Sequence, residues 1–181
     1  MNIEKFCQGE TVIRRGEMVP FGKGDTPTGD VRRQVSSNAA VEAAKFEPGS
    51  VRHKLYALEA SMADTPEVEF PLQHVFAPGV YARTIQLPKG SIIVGKIHKH
   101  KHINVLSQGT VQVLTEQGGV ERLTGPLTMV SEPGTKRAVL AETDAVWTTI
   151  HLTNTTDLAK IEEEHIAKSY EEYEQFLKIG G

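Results

Sequence analysis

A single cysteine, Cys7, stands among 181 residues. An intrachain disulfide is therefore impossible, and a four-cysteine zinc site is excluded. Cys7 reads as an unimportant thiol near a chain terminus. Long apolar runs are missing as well: no window is suited to crossing a bilayer. The opening MNIEKFCQGETVIRRGE lacks the apolar segment of a secretory signal, so a cytoplasmic location is the default expectation, in a cell or in the host of a virus. Nor is there an excess of positive charge, because 20 Lys and Arg against 23 Asp and Glu leave a formal charge of -3. Arg14-Arg15 and Arg32-Arg33 are only short basic pairs, and without a basic stripe nucleic acid is not an expected partner. GKGDTPTG lacks the glycine spacing and the strand-to-helix context of a phosphate-binding loop.

The remaining composition, 39% hydrophobic and 24% charged, is that of a globular protein and excludes a fibre or wholesale disorder. The length suits one compact domain with a substantial core. Residues 1–70 read as an N-terminal extension. Within it, residues 16–38 combine glycine, proline and small polar residues without a helical or strand period, as an arm or loop does. Asn38 can cap a short helix over AAVEAAKFE that Pro48 and Gly49 stop, and Lys54 to Met62 is a second helical candidate.

From residue 71 to 152 the rhythm changes to short β-rich runs divided by turn residues. VYARTIQL, SIIVGKIHKHKHINVL, TVQVLTE, LTMVS, TKRAVLA and AVWTTIHL are separated by Pro88-Lys89-Gly90, Ser107-Gln108-Gly109, Gly118-Gly119 and Pro133-Gly134. Such spacing predicts an all-β domain, a closed barrel or a sandwich, and leaves no room for the helices of a parallel α/β sheet. Residues 153–181 form a third segment. Thr153 to Thr156 can cap a helix in which Leu158, Ile161, His165, Ile166, Tyr170, Tyr173, Phe176 and Leu177 make one stripe. That amphipathic helix either packs on the barrel or contributes to an oligomer interface. His165 beside the stripe reads as structural or exposed.

The most unusual feature is GKIHKHKHINVLSQG, residues 95–109. A regular strand places His98, His100 and His102 on one face, with Asn104 and Leu106 continuing it. Lys99 and Lys101 on the opposite face need water or partners, so the histidines are expected to point inward. Neutral imidazole is a good ligand for zinc, iron, nickel or copper, and three ligands leave an open position for water or substrate. Successive alternate residues lie about 6.5 Å apart, however, so all three cannot easily converge on one ion. Two of them, His102 with His98 or His100, plus a residue from another strand are expected. In AVWTTIHL, alternation sets Trp147, Thr149 and His151 on one side, which makes His151 the candidate, with a structural role as its alternative. Glu132, Lys136 and Arg137 around the Pro133-Gly134 turn can recognise an anionic or sugar-like ligand or be plain surface charges. Tyr81 and Arg83 alternate on an earlier strand and can line the same interior.

These residues resemble the cupin superfamily over about residues 72 to 152. Cupins carry a first motif of glycine, two histidines one apart, a glutamate and a later glycine, and a second motif with a proline-glycine turn before another histidine. Gly109 matches the closing glycine. His102 then stands at the glutamate position, His98 at the second histidine and Lys96 at the first, with His100 additional. In the second motif Arg137 replaces the expected histidine and cannot be an ordinary metal ligand. The usual centre of three histidines and a glutamate around iron or manganese is thus incomplete. The resemblance implies a jelly-roll barrel, or double-stranded β-helix, and a tendency to form dimers. FAPGVYARTIQLPKG, GKIHKHKHINVLSQG and SEPGTKRAVLAETDAVWTTIH are further similar to small cupin-like proteins of tailed bacteriophages.

Three functional readings stay open. One is a phage cupin-like protein holding a divalent transition metal (Zn, Fe, Ni or Mn) and/or a small polar or anionic ligand through His98, His100, His102 and His151, with Tyr81, Arg83, Glu132 and Arg137 as ligand-binding groups. Another is a structural or interaction barrel with a phage or host protein as partner, virion-associated or inhibiting a host defence. The third is a metal-dependent isomerase or oxygenase. A homo-oligomer, as a dimer, is compatible with each.

Overall fold

The computed structural model describes Ile3 and residues 39–63, 70–117 and 119–180. Cys7, both arginine pairs and the arm at 16–38 lie outside the described residues. A short helical segment at 39–43 precedes helix α1 (Val51–Ala63), and the strands follow: β1 (Leu72–Ala77), β2 (Val80–Leu87), β3 (Ile92–Val94), β4 (Ile97–His98), β5 (His102–Gln108), β6 (Thr110–Thr115), β7 (Gly119–Thr124), β8 (Leu127–Ser131), β9 (Arg137–Ala141) and β10 (Ala145–Leu152). Helix α2 (Leu158–His165), strand β11 (Ile166–Ala167) and helix α3 (Tyr170–Lys178) complete the chain.

Two antiparallel sheets are formed, β1-β2-β10-β5-β8 and β3-β9-β6-β7, with a small β11-β4 pair beside them. The pairs β2·β10, β3·β9, β5·β8 and β6·β7 nest as the rungs of one long hairpin. Rolled up, that hairpin sends successive strands along each of its arms into opposite sheets, β2, β3, β5 and β6 on one arm and β7, β8, β9 and β10 on the other, which is the jelly-roll arrangement. Among the described residues neither sheet closes on itself, so the expected closed barrel is corrected to an open two-sheet sandwich with helices on both sides of it in sequence. Short strands explain this: β3 has three residues and β4 two, too few to carry hydrogen bonding from one sheet into the other.

The interior is apolar where the sheets face. Ile85, Leu87, Leu106, Ala145 and Trp147 meet Val111, Val113, Val139 and Ala141, and each buried large side chain contributes about 1.5–3 kcal/mol. The second sheet is covered on its other face too, because Leu55 and Leu58 of α1, with Ile3, pack on Ile92, Leu114, Ala138 and Leu140. This is why β6 and β9 have no exposed residue along their length while burial in β5 alternates. A third cluster joins Ala39, Ala43 and Tyr56 to Ile97, Ala167 and Tyr170, bracing the β4–β11 pair from outside. Lys136 is buried there beside Glu59 at 3.1 Å and over the Tyr56 ring at 4.9 Å, so it ties α1 to β9 and faces away from the sandwich interior.

The C-terminal segment differs from one continuous helix. Asp157, not the preceding threonines, caps α2 by accepting from the Ala159 and Lys160 amides. Ile166 and Ala167 then leave the helix to pair with His98 and Ile97, and Ser169 caps α3. Ile166 is β-branched and fits the strand at little cost, so the apolar stripe continues through a change of structure.

Gly109 turns the chain from β5 into β6 at φ 91°, where an added Cβ would lie 2.3 Å from the Asp144 carbonyl oxygen. Gly90 has φ 84° but open space around it. Gly90→Ala is expected to cost about 1–2 kcal/mol of left-handed strain, and Gly109→Ala roughly 2–5 kcal/mol because overpacking adds to that strain. Urea denaturation of both variants measures the difference, and equal costs would refute the close approach.

Candidate metal centre

Strand alternation delivers part of the site. On β5, His102, Asn104 and Leu106 are buried and face inward; on β10, Trp147 and His151 do the same. The expected regular histidine strand is interrupted: β4 ends at His98, β5 begins at His102, and residues 99–101 are not in a strand. A regular strand would separate positions 98 and 102 by about 13 Å. The interruption instead brings their ring centroids to 4.1 Å. His151 completes the group at 5.1 Å from His98 and 5.0 Å from His102.

Backbone bonds hold the interruption in place. The Gly134 amide donates to the His98 carbonyl (2.8 Å), the Lys99 amide donates to the His165 carbonyl (2.7 Å), and Ile166 pairs with His98. His100 consequently turns out of the group. It is exposed, with its ring edge-on to Phe176 at 5.3 Å and to His165 at 5.4 Å.

The three clustered histidines can hold a divalent ion. One ligand atom from each of His98, His102 and His151 lies within 4.8 Å of the others. Tetrahedral coordination with bonds of 2.0–2.1 Å needs these atoms roughly 3.3 Å apart, a closure that small ring rotations supply. His102 is already oriented: a carbonyl only accepts, so the 3.1 Å contact from Nδ1 to the His100 carbonyl fixes the Nδ1–H tautomer. Nε2 keeps the free lone pair, the usual outer-shell arrangement of a metal-binding histidine. His98 Nδ1 is buried without a hydrogen-bond partner among the described residues, a loss of about 1–3 kcal/mol that a bound ion would offset.

The electrostatics favour neutral, ligating imidazoles. Burial pushes the His98 pKa down to about 2, and the His102, His151, Arg137 and His165 charges reinforce the shift. Burial, followed by His165 and His102, lowers His151 to about 3. His102 is lowered by burial, against the opposing bond to the His100 carbonyl.

A polar layer lies under the histidines. Asn104 Oδ1 accepts from Trp147 Nε1 and from Thr149 Oγ1, both at 2.9 Å, and its Nδ2 donates to Ser131 Oγ at 2.6 Å. Ser131 Oγ also accepts from Arg137 Nη2. Arg137 thus extends from β9 into the sandwich, 5.9 Å from the Trp147 ring, and burial lowers its pKa. Tyr81 is buried beside His151 at 6.3 Å, with its hydroxyl 2.8 Å from His74 Nδ1. Arg83 is exposed on the same strand face, in register with Thr149. Glu132 lies elsewhere, paired with Lys101 at 3.0 Å on the surface.

Sequence reasoning missed His165 as a neighbour of the site. It is 4% exposed, lies 4.6 Å from His151, and has neither ring nitrogen hydrogen-bonded among the described residues. Its signal was the four-residue spacing from Ile161, the other buried residue of α2. His74 gave no comparable signal, because β1 is exposed throughout.

No family model and no curated protein matches the chain. Several solved structures are similar in strand arrangement. KdgF from a Halomonas species has 21% identity over 51% of this chain and 88% of its own, with a TM-score of 0.42. An RmlC-like cupin from Shewanella frigidimarina has 18% identity over 49% and 78%, with a TM-score of 0.40. An acetylacetone dioxygenase from Acinetobacter johnsonii has 17% identity over 46% and 59%, with a TM-score of 0.39. The chemistry of the site rests on this chain's own side chains.

An unfolded histidine titrates near 6.5, whereas folding depresses these three. Between the two pKa values the unfolded chain binds more protons, so their contribution is complete above about pH 6.5 and is lost as pH falls below it. Metal-free protein should lose up to about 1.4 kcal/mol per pH unit through His98 alone. Thermal unfolding between pH 7.5 and 4.5 tests this; a flat profile would contradict the burial of the imidazoles.

Proposed function

We propose that His98, His102 and His151 hold one divalent transition metal in an open three-histidine centre that binds and activates a small polar molecule at this end of the jelly roll. The observation that carries this reading is the convergence of ligand atoms from β4, β5 and β10 within 4.8 Å. All three rings are held neutral by burial, and one is aimed by a backbone carbonyl.

A metal with three imidazole ligands and an open position polarises an oxygen ligand or lowers the pKa of bound water. The chain's own part is to keep the imidazoles deprotonated and the tautomer of His102 fixed. The Asn104–Ser131–Thr149 network holds the floor rigid, and Tyr81 backs His151 through its ring. Imidazole suits zinc, iron, nickel and copper, so the donor set restricts the ion without selecting one. Among the described residues no carboxylate joins the three histidines, so a general base of that type is not supplied beside them.

Untagged protein purified without chelator is expected to carry close to one metal per chain by elemental mass spectrometry. His98→Ala/His102→Ala should reduce this to background with the fold intact, and His151→Ala should weaken binding by at least roughly tenfold. His100→Ala should leave stoichiometry unchanged, since its ring rests on Phe176. Background metal in the parent protein, or undiminished metal in the double variant, would overturn the reading.

A further inference from the structure

Arg137 is a cation that the three-histidine centre does not use. Its side chain points between the sheets, on the same face of β9 as Val139 and Ala141. One guanidinium nitrogen donates to Ser131 Oγ, and Ser131 is the cross-strand partner of His102. The guanidinium is therefore held one layer below the imidazoles, on the hydroxyl that also accepts from Asn104. Among the described residues it makes no other hydrogen bond and has no carboxylate within 4.0 Å. Arg83, on the interior-facing side of β2 in register with Thr149, likewise has no ion pair among the described residues.

Charge balance makes this arrangement informative. Neutral imidazoles leave a divalent ion with its full charge, and Arg137 adds another in a water-poor interior. An unpaired buried cation costs several kcal/mol. Among the described residues, the four cationic or metal-binding side chains that converge here come without one acidic side chain in the group, although acidic residues outnumber basic ones over the whole chain, 23 to 20. A bound anion would balance that charge.

We propose that this end of the jelly roll binds a small carboxylate with a second oxygen function, a dicarboxylate or a 2-oxo acid, with one oxygen group on the metal and a carboxylate on Arg137. Arg83 lies on the exposed side of the same face and attracts the anion from solvent. The fork of a guanidinium matches the two oxygens of a planar carboxylate. Trp147 on one side and Ser131 on another restrict the guanidinium to one orientation, which favours a short molecule of fixed length. The metal half of this ligand rests on the three-histidine reading; the Arg137 half does not.

The test is calorimetric titration of the full-length protein, nickel-loaded and metal-free, with malonate, its uncharged twin malonamide, and inorganic phosphate. Metal content is measured on the same samples. Malonate should bind the loaded protein at least roughly tenfold more tightly than malonamide or phosphate. Arg137→Gln should lose at least that factor with metal content unchanged, and Arg137→Lys should recover only part of it. Equal binding of malonate and malonamide to the parent protein, which needs no variant to fold, overturns the proposal. Tighter binding of phosphate than malonate overturns the carboxylate assignment. Should the parent protein fail to take up nickel yet bind malonate through Arg137, the metal reading fails while the carboxylate site stands; absence of both removes both.

Discussion

Hydrogen bonds to the backbone around His98 decide what the rest of this molecule can do. Left as a regular strand, residues 95–106 would spread their histidines along one wall, too far apart for all three to share an ion and with His98 about 13 Å from His102. The Gly134 amide and the β11 backbone hold β4 as a two-residue piece, and the chain re-enters β5 at His102 with its ring against His98. The donors of these bonds have their own requirements. Gly134 sits at φ 75°, and a Cβ there would meet the Tyr173 ring at 2.5 Å, so the turn, α3 and the site are mutually fitted. The C-terminal segment is thus part of the site's architecture although it contributes none of the three clustered rings.

The interior of the sandwich is layered by polarity. Trp147 and Leu106 belong to the dry core. Above them Asn104, Thr149, Ser131 and Arg137 form a connected network, and above that lie the imidazoles. Asn104 is 2% exposed, yet its amide oxygen accepts two hydrogen bonds and its amide nitrogen makes one. A buried amide so well satisfied adds rigidity at little net cost, whereas a partly satisfied one would loosen the floor. Losing the Trp147 indole bond would therefore disturb both the core and the orientation of the residues beneath the histidines.

Alternation made the inward face of β5 and of β10 legible, because one side of each strand packs in the core and the other does not. It also placed His102, His151 and Trp147 in a common interior. The break at 99–101 was not legible: HKHKH continues the period of two without a glycine or proline, and the forces that break it come from Gly134 and His165, distant in sequence. The same limit applies to Ile166 and Ala167, which satisfy a helical stripe and a strand equally well until β4 offers them hydrogen bonds. Openness of the sheets was equally hidden, since turn spacing sets strand order but not whether a three-residue edge strand can bridge two sheets. Arg137 was singled out as a departure from a histidine motif; its direction into the sandwich follows from sharing a face with Val139 and Ala141.

His165 shows how much of the site's environment is supplied from outside the sandwich. It ends α2 in contact with His151, while Glu164 beside it turns to accept from Thr153 at 3.0 Å and stays 3.7 Å from His165 Nε2. That distance is too long for a hydrogen bond, so the carboxylate contributes charge without satisfying the ring. Burial lowers the His165 pKa and Glu164 only partly opposes it. The ring is therefore neutral at ordinary pH, and its presence beside His151 further disfavours protonation there. A hydrophobic side chain of similar size would fill the space at lower desolvation cost. What it would not supply is a polar ring next to the three-histidine group, in contact with His151 on one side and His100 on the other.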